Sequence, residues 1–253
     1  MVGKTIWSRL NSGDNQPQLQ RKWFNLSPCP IQLSEGIPAA LENWKDMTGK
    51  TENFAKKTDE QNFENAREEI ARSTRPGSDP QVRQYASILL GKLKESDGVE
   101  PLIMALRDPD KKVRDQAAKS LGEIGEPSVD PLILLLDDPD WKVRYRAAEA
   151  LGITGSKKAI PFLIVSLDDP KDHVRYMAAK AIGETGDGSC EKALIARLAD
   201  ENEFVRRSAA STLGKTGGTA AKGALEHSLA HEMSENTREA METALHQLEK
   251  KVL

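Results

Sequence analysis

Only two cysteines, Cys29 and Cys190, occur in the 253 residues, and they stand far apart without the paired spacing of a metal site. A disulfide framework therefore has no support, and a reducing compartment fits this usage better. Aromatic residues are scarce, at 5 %. No apolar run reaches the ~18 residues that a membrane-spanning helix needs. The segment from Met1 to Leu10 is interrupted by Lys4 and Arg9 and lacks the apolar stretch of a signal peptide. A soluble, cytoplasmic protein without a membrane partner is expected. The net charge of -3 gives no global attraction to phosphate backbones, so nucleic acid is not the expected partner. A glycine-rich phosphate loop and a Ser-His-Asp order are also missing. The many carboxylates are explained as caps and turns rather than as a catalytic pair.

What the chain does have is a signature returning about every 30 residues, the period of a helical solenoid. It reads Val82-Arg83 to Leu90-Gly91, Val113-Arg114 to Leu121-Gly122, Val143-Arg144 to Leu151-Gly152, Val174-Arg175 to Ile182-Gly183, and Val205-Arg206 to Leu213-Gly214. Each unit is read as two amphipathic helices. The first is expected to open with proline at its first position (Pro101, Pro131, Pro161), where the missing N–H has no intrahelical acceptor. An Asp-Pro turn follows at Asp108-Pro109, Asp138-Pro139 and Asp169-Pro170, with Asp200-Glu201 in the matching place.

Three residues before each valine stands an N-cap candidate: Asp79, Asp110, Asp140, Asn202 or, in the last unit, Ser234. Lys171 fills this slot in the fourth unit, so Asp172 is expected to cap one residue late. Alanine pairs Ala117-Ala118, Ala147-Ala148, Ala178-Ala179 and Ala209-Ala210 remove bulk where second helices must approach, and the glycines that follow allow close packing or a left-handed cap. In the last unit Met241-Glu242 and Leu245-His246 replace Ala-Ala and Leu-Gly, the polar positions expected of a capping repeat.

These positions together resemble the HEAT-like repeats of the phycobilisome-lyase type, over residues 61 to 250. The resemblance implies an all-α, right-handed α-solenoid of about six helix-pair repeats, here residues 61–253. Residues 1–60 do not follow the period and form an irregular N-terminal segment. Trp7, Trp23 and Trp44 lie there; they are read as packing on the open end of the first repeat, with a partner-binding arm as the alternative. The resemblance leaves function open, because the family includes bilin lyase subunits, a metal-dependent hydroxylase and many adaptors.

In deoxyhypusine hydroxylase, a HEAT-like array, the resemblance places iron ligands as His-Glu pairs directly after the repeat arginine. The corresponding slots here are Gln84-Tyr85, Asp115-Gln116, Tyr145-Arg146, Tyr176-Met177 and Arg207-Ser208, which argues against that activity. His227 and His231, with Glu226, Glu232 or His246, have the spacing of a zinc site, yet read better as exposed histidines of a charged terminal repeat. No metal, cofactor or catalytic residue is expected. Cys29 between prolines reads as a loop cysteine, and Cys190 as semi-buried at the start of a helix over 190–199.

The repeat arginines Arg83, Arg114, Arg144, Arg175 and Arg206 are read as partners of turn aspartates such as Asp108, Asp138, Asp169 and Asp200 rather than as a phosphate ladder. What repetition leaves unexplained is an aromatic, Met and Arg cluster on second helices: Trp141, Tyr145, Arg146, His173, Tyr176, Met177, Phe204 and Arg207. Such composition marks interface anchors. The expectation is a non-enzymatic scaffold, adaptor or assembly factor holding a partner protein on its concave face. The alternatives are a bilin or cofactor lyase subunit and a nucleic-acid-binding array.

Overall fold

The computed structural model describes residues 70–252, apart from 76, 78 and 187. The expectations for residues 1–60, including Trp7, Trp23, Cys29 and Trp44, lie outside the described residues. Residues 70–73 are helical, and eleven further α-helices follow without a strand among the described residues. In chain order they are α1 (Pro80–Leu93), α2 (Val99–Ala105), α3 (Lys111–Ile124), α4 (Glu126–Leu134), α5 (Trp141–Thr154), α6 (Ile160–Ser166), α7 (Asp172–Thr185), α8 (Glu191–Ala196), α9 (Glu203–Thr216), α10 (Thr219–Leu229) and α11 (Glu235–Val252).

The architecture is an all-α solenoid. Even-numbered helices are the first helices of successive units, and odd-numbered helices the second. Each second helix packs on the next, α1 on α3 through to α9 on α11, much more closely than the first helices pack on one another. The second helices therefore follow the shorter arc of the stack and form its inner face.

Small residues permit this approach. Ala117, Ala118, Ala147, Ala148, Ala178, Ala179, Ala209 and Ala210 are fully buried, and Leu121, Leu151, Ile182 and Leu213 fill the space beneath them. Of the two roles open to the signature glycines, close packing is the observed one. A Cβ on Gly152 would stand 2.9 Å from the Ala181 Cα, and one on Gly214 2.7 Å from the Ala244 Cα. Left-handed caps fall instead to residues after the signature, as at Gly155 with φ 64°.

Four of the five N-cap candidates before the signature valines behave as their chemistry dictates. The side chains of Asp79, Asp110, Asp140 and Asn202 accept from the amides of Gln81, Lys112, Lys142 and Phe204 at 2.8–2.9 Å. The fourth unit differs from expectation. Lys171 occupies the cap without a side-chain bond, and Asp172 is the first helical residue, accepting from the His173 amide at 2.9 Å.

Two other expectations need correction. Pro101 is the third residue of α2 and Pro131 lies inside α4, neither at the first position; α4 begins one turn earlier, where Pro127 supplies the donor-free first turn. Cys190 is 1 % exposed rather than semi-buried; it caps the start of α8, which ends at Ala196 and continues as a 3₁₀ turn to Ala199.

Charged ties join successive units. Arg83 grips Asp108 with Nε and Nη2 at 2.6 and 2.9 Å. Arg144 holds Asp169 at 2.7 and 2.9 Å, and Arg175 holds Asp200 at 2.8 Å twice. Arg206 holds Glu232 in the same way, at 2.6 and 2.8 Å. Each acid also accepts from the amide two residues on, Asp110, Lys171, Asn202 or Ser234. The next arginine in line, Arg114, Arg175, Arg206 or Arg238, donates to the backbone carbonyl of that same acid. One tie departs from the pattern: Asp138 is held by Arg107, at the end of α2, through Nη1 at 3.0 Å and through Nη2. Arg114 reaches only the carbonyls of its own turn, Asp108 and Pro109.

The forked pairs are nearly dry, and bidentate charged bonds of this kind are the stronger class. The Arg206 guanidinium holds the Glu232 carboxyl below its ordinary value against the opposing effect of burial, with help from the Ser234 amide. A depressed carboxylate stabilises the fold above its ordinary titration range, and that contribution is lost as pH falls through the lower, folded value. Glu232→Gln is thus expected to lower stability at neutral pH and to make the acid limb shallower. Melting curves across the acidic range test this, and an unchanged acid limb would contradict the tie. Gly152→Ala is expected to cost ~1–3 kcal/mol by forcing α5 and α7 apart. A denaturant melt equal to that of the parent would refute the packing role.

Candidate functional site

The inner face carries the side chains that the repeat does not require for packing. Trp141 opens α5 and His173 sits in the first turn of α7, with their rings 5.2 Å apart. The Lys171 ammonium lies 5.4 Å from the Trp141 ring centre, a distance at which a cation is attracted to the ring face. One turn further along, Tyr145 and Tyr176 occupy the same slot of α5 and α7. Burial pushes the Tyr145 phenol above its ordinary value; Glu149 and Tyr176 add to the shift, while Arg146 opposes it. Arg207 fills the slot in α9, with its guanidinium 5.0 Å from the Phe204 ring centre.

Between α7, α9 and α11 the face opens into a groove of about 470 Å³, lined among others by Tyr176, Lys180, Arg207, Ser211, Asn236 and Gln247. Its walls are mixed. Hydroxyls and amides alternate with Lys180, Arg207 and Lys215 on one side of the charge balance and Glu184 and Glu239 on the other. The lining holds neither histidine nor cysteine. Among the described residues no group of three His, Cys, Asp or Glu converges as a metal site. His227 and His231 are exposed, with ring centres 5.0 Å apart. Glu232 points away from metal chemistry because Arg206 and two backbone amides occupy its oxygens.

The structure separates the eight candidate residues. Met177 is 3 % exposed and belongs to the core. Arg146 is tied to Asp115 and, at 2.5 Å, to Glu149, so its charge is spent within the array. Phe204 is 49 % exposed and contributes to the surface rather than to packing. Trp141, Tyr145, His173, Tyr176, Phe204 and Arg207 remain on the inner face, all accessible at least in part. Sequence reasoning missed Lys180, Asn236 and Gln247 as groove residues, because no aromatic or motif marks them. Their signal is positional: Lys180 stands four residues after Tyr176, one helical turn along the same face.

A family model for HEAT repeats matches residues 68–133, 129–189 and 164–246. The chain is a HEAT-repeat protein. No curated protein matches this HEAT-repeat chain in sequence. Among solved structures, Kap121p superposes with a TM-score of 0.61 at 15% identity, covering 74% of this chain and 26% of its own. The complex of CpcE and CpcF of phycocyanin lyase from a Nostoc species gives 0.55 at 19% identity, covering 59% of this chain and 99% of its own. Human deoxyhypusine hydroxylase gives 0.44 at 24% identity, covering 74% and 75%. The first two likenesses establish a shared HEAT-type fold. Among the described residues no helix of the HEAT array is long and apolar enough to cross a membrane.

The division between core and surface on this face is testable. Met177→Ala is expected to destabilise the array by ~2–5 kcal/mol, the usual range for emptying a buried methionine site. Arg207→Ala, at a surface position, should stay within ~0.5 kcal/mol. Denaturant titration of both variants checks the assignment, which fails if the two effects are equal.

Proposed function

We propose that this HEAT-repeat array is a non-enzymatic scaffold that holds a partner protein along its inner face. The observation that carries the reading is the row Tyr145, Tyr176 and Arg207: one slot in three successive units, running into the groove between α7, α9 and α11. Two tyrosines and an arginine supply broad contact area with few rotatable bonds, the property of interface anchors. Trp141, His173 and Phe204 extend the row at the helix starts. A reducing, cytoplasmic setting suits the free thiol of buried Cys190.

The finer family reading is the phycobilisome-lyase type of repeat, and with it comes a second function, a bilin or cofactor lyase subunit. Its support is the repeat type and the shared fold with CpcE and CpcF. A visible absorption change on mixing with a linear tetrapyrrole would favour it over the scaffold. Nucleic-acid binding has less support. Four of the five repeat arginines are bound by turn acids, Arg114 is turned to backbone carbonyls, and the net charge is -3.

A photo-cross-linking residue at position 176 is expected to capture the partner in cells of the native organism, whereas one at Lys192, on the first-helix layer, should not. With that partner in hand, the triple replacement of Tyr145, Tyr176 and Arg207 by alanine should keep a cooperative melt and weaken binding by ~2 kcal/mol or more. Full affinity in the folded triple variant would remove the row from the interface.

A further inference from the structure

The opposite face of the array holds large apolar side chains that packing does not use. Met104 is 66% exposed, Leu134 78% and Val165 74%, with Phe162 beside them at 46%. Met104, Leu134 and Val165 are equivalent residues of α2, α4 and α6, each two positions after a fully buried leucine (Leu102, Leu132, Leu163). Successive first helices are neighbours in the stack, so the three exposed side chains stand in one row, a ridge across three units. Contiguous exposed apolar surface of this kind marks an interaction site.

Charges flank the ridge in a self-complementary order. At the end where the helices start, the second unit presents Asp97 and Glu100, and the fourth presents Lys157 and Lys158. At the end where they finish, the second unit presents Arg107 and the fourth Asp168. The second and fourth units are thus opposite in sign at both ends, on either side of Leu134 in the third.

We propose that the ridge binds a second copy of this chain, about a two-fold axis parallel to the helices and passing beside Leu134. Such an axis sets the second unit of one copy against the fourth unit of the other, helix starts against helix starts. Met104 then meets Val165 of the second copy, Leu134 meets its own equivalent, Glu100 and Asp97 face Lys157 and Lys158, and Arg107 faces Asp168. An isologous contact of this type closes the assembly at two copies. These rim charges already have partners within the chain: Lys158 with Asp130 at 2.6 Å, Arg107 with Asp138, and Asp168 with Arg197 at 3.0 Å. They therefore set the register, while the apolar ridge supplies the attraction. Like charges also lie near the axis: Asp137 at one end, and Glu126 and Asp130 at the helix starts, each approach their own equivalents at the rim, with Asp130 offset by its tie to Lys158. Three helices on the outer arc make a small contact, below the roughly 800 Å² per partner of a standard interface, so the dimer is weak and depends on concentration. The surface is separate from the inner-face row, so either reading can fail without the other.

Sedimentation velocity of the full chain over a concentration series tests the proposal. The expected result is a monomer–dimer equilibrium whose dissociation constant rises ~10-fold or more in Leu134→Glu, the loss that a central anchor typically brings, with the melting curve kept. Glu100→Lys and Lys158→Glu should each weaken the dimer, and the two together should restore it, because the pair then faces in the exchanged sense. A chain that stays monomeric at the highest concentration overturns the proposal. So does a dimer indifferent to Leu134→Glu, or single charge changes that the double variant does not rescue.

Discussion

The distance between successive second helices is the constraint from which the rest of the structure follows. At Gly152 and Gly214 the neighbouring backbone lies where a Cβ would have to go, within 3 Å. Most residues along that seam are small, Ser120, Ala181, Thr212 and Ala244 among them, with Ile153 lying over Gly122; the larger apolar packing falls to the leucines beneath it. Close approach on one layer and looser approach on the other bends the stack. The same asymmetry makes the second-helix layer an inner surface on which side chains from neighbouring units converge.

The tie between units repeats with the same regularity. A turn acid accepts from the arginine of the preceding unit, from the cap amide of its own unit, and offers its carbonyl to the next arginine. Three joints meet at one residue. That convergence explains why Asp108, Asp138, Asp169 and Asp200 are buried although they are charged: each is satisfied on all sides, the condition under which a buried carboxylate is tolerated. Glu232 keeps the same set of bonds where the loop is one residue longer, with 26 residues to its arginine in place of 25.

Much of this was legible in the sequence because it repeats. Caps, turn acids, alanine pairs and leucines recur in register, and each has a physical reason that requires its residue type. What was not legible depends on single neighbours. Met177 reads as a surface residue by its slot beside Tyr176, yet stacking leaves it 3 % exposed. Asp138 should belong to Arg114 by position, but Arg107 at the end of α2 reaches it first. Pro131 resembles its counterparts in other units, while Pro127 sets where α4 starts. The outer ridge was hidden for a different reason. Leu102, Ile103 and Met104 are consecutive and apolar, and three consecutive helical residues cannot all face inward; that excess was the available signal. The inner groove also escaped notice, since Lys180, Asn236 and Gln247 are ordinary polar residues made neighbours only by stacking.

The arginine-to-acid ties also constrain how such a chain can change length. The four forked ties from the signature arginines span 25 or 26 residues and each Cβ-free contact spans about one repeat, so an insertion of a few residues inside a unit would displace an acid from its arginine and a glycine from its seam together. Adding or losing a whole internal unit disturbs neither, because the units on either side of the new joint present the same acid and the same small residues. Length in this protein is therefore quantised. It varies cleanly by one helix pair at a time, and the inner face is lengthened or shortened by one slot with each step.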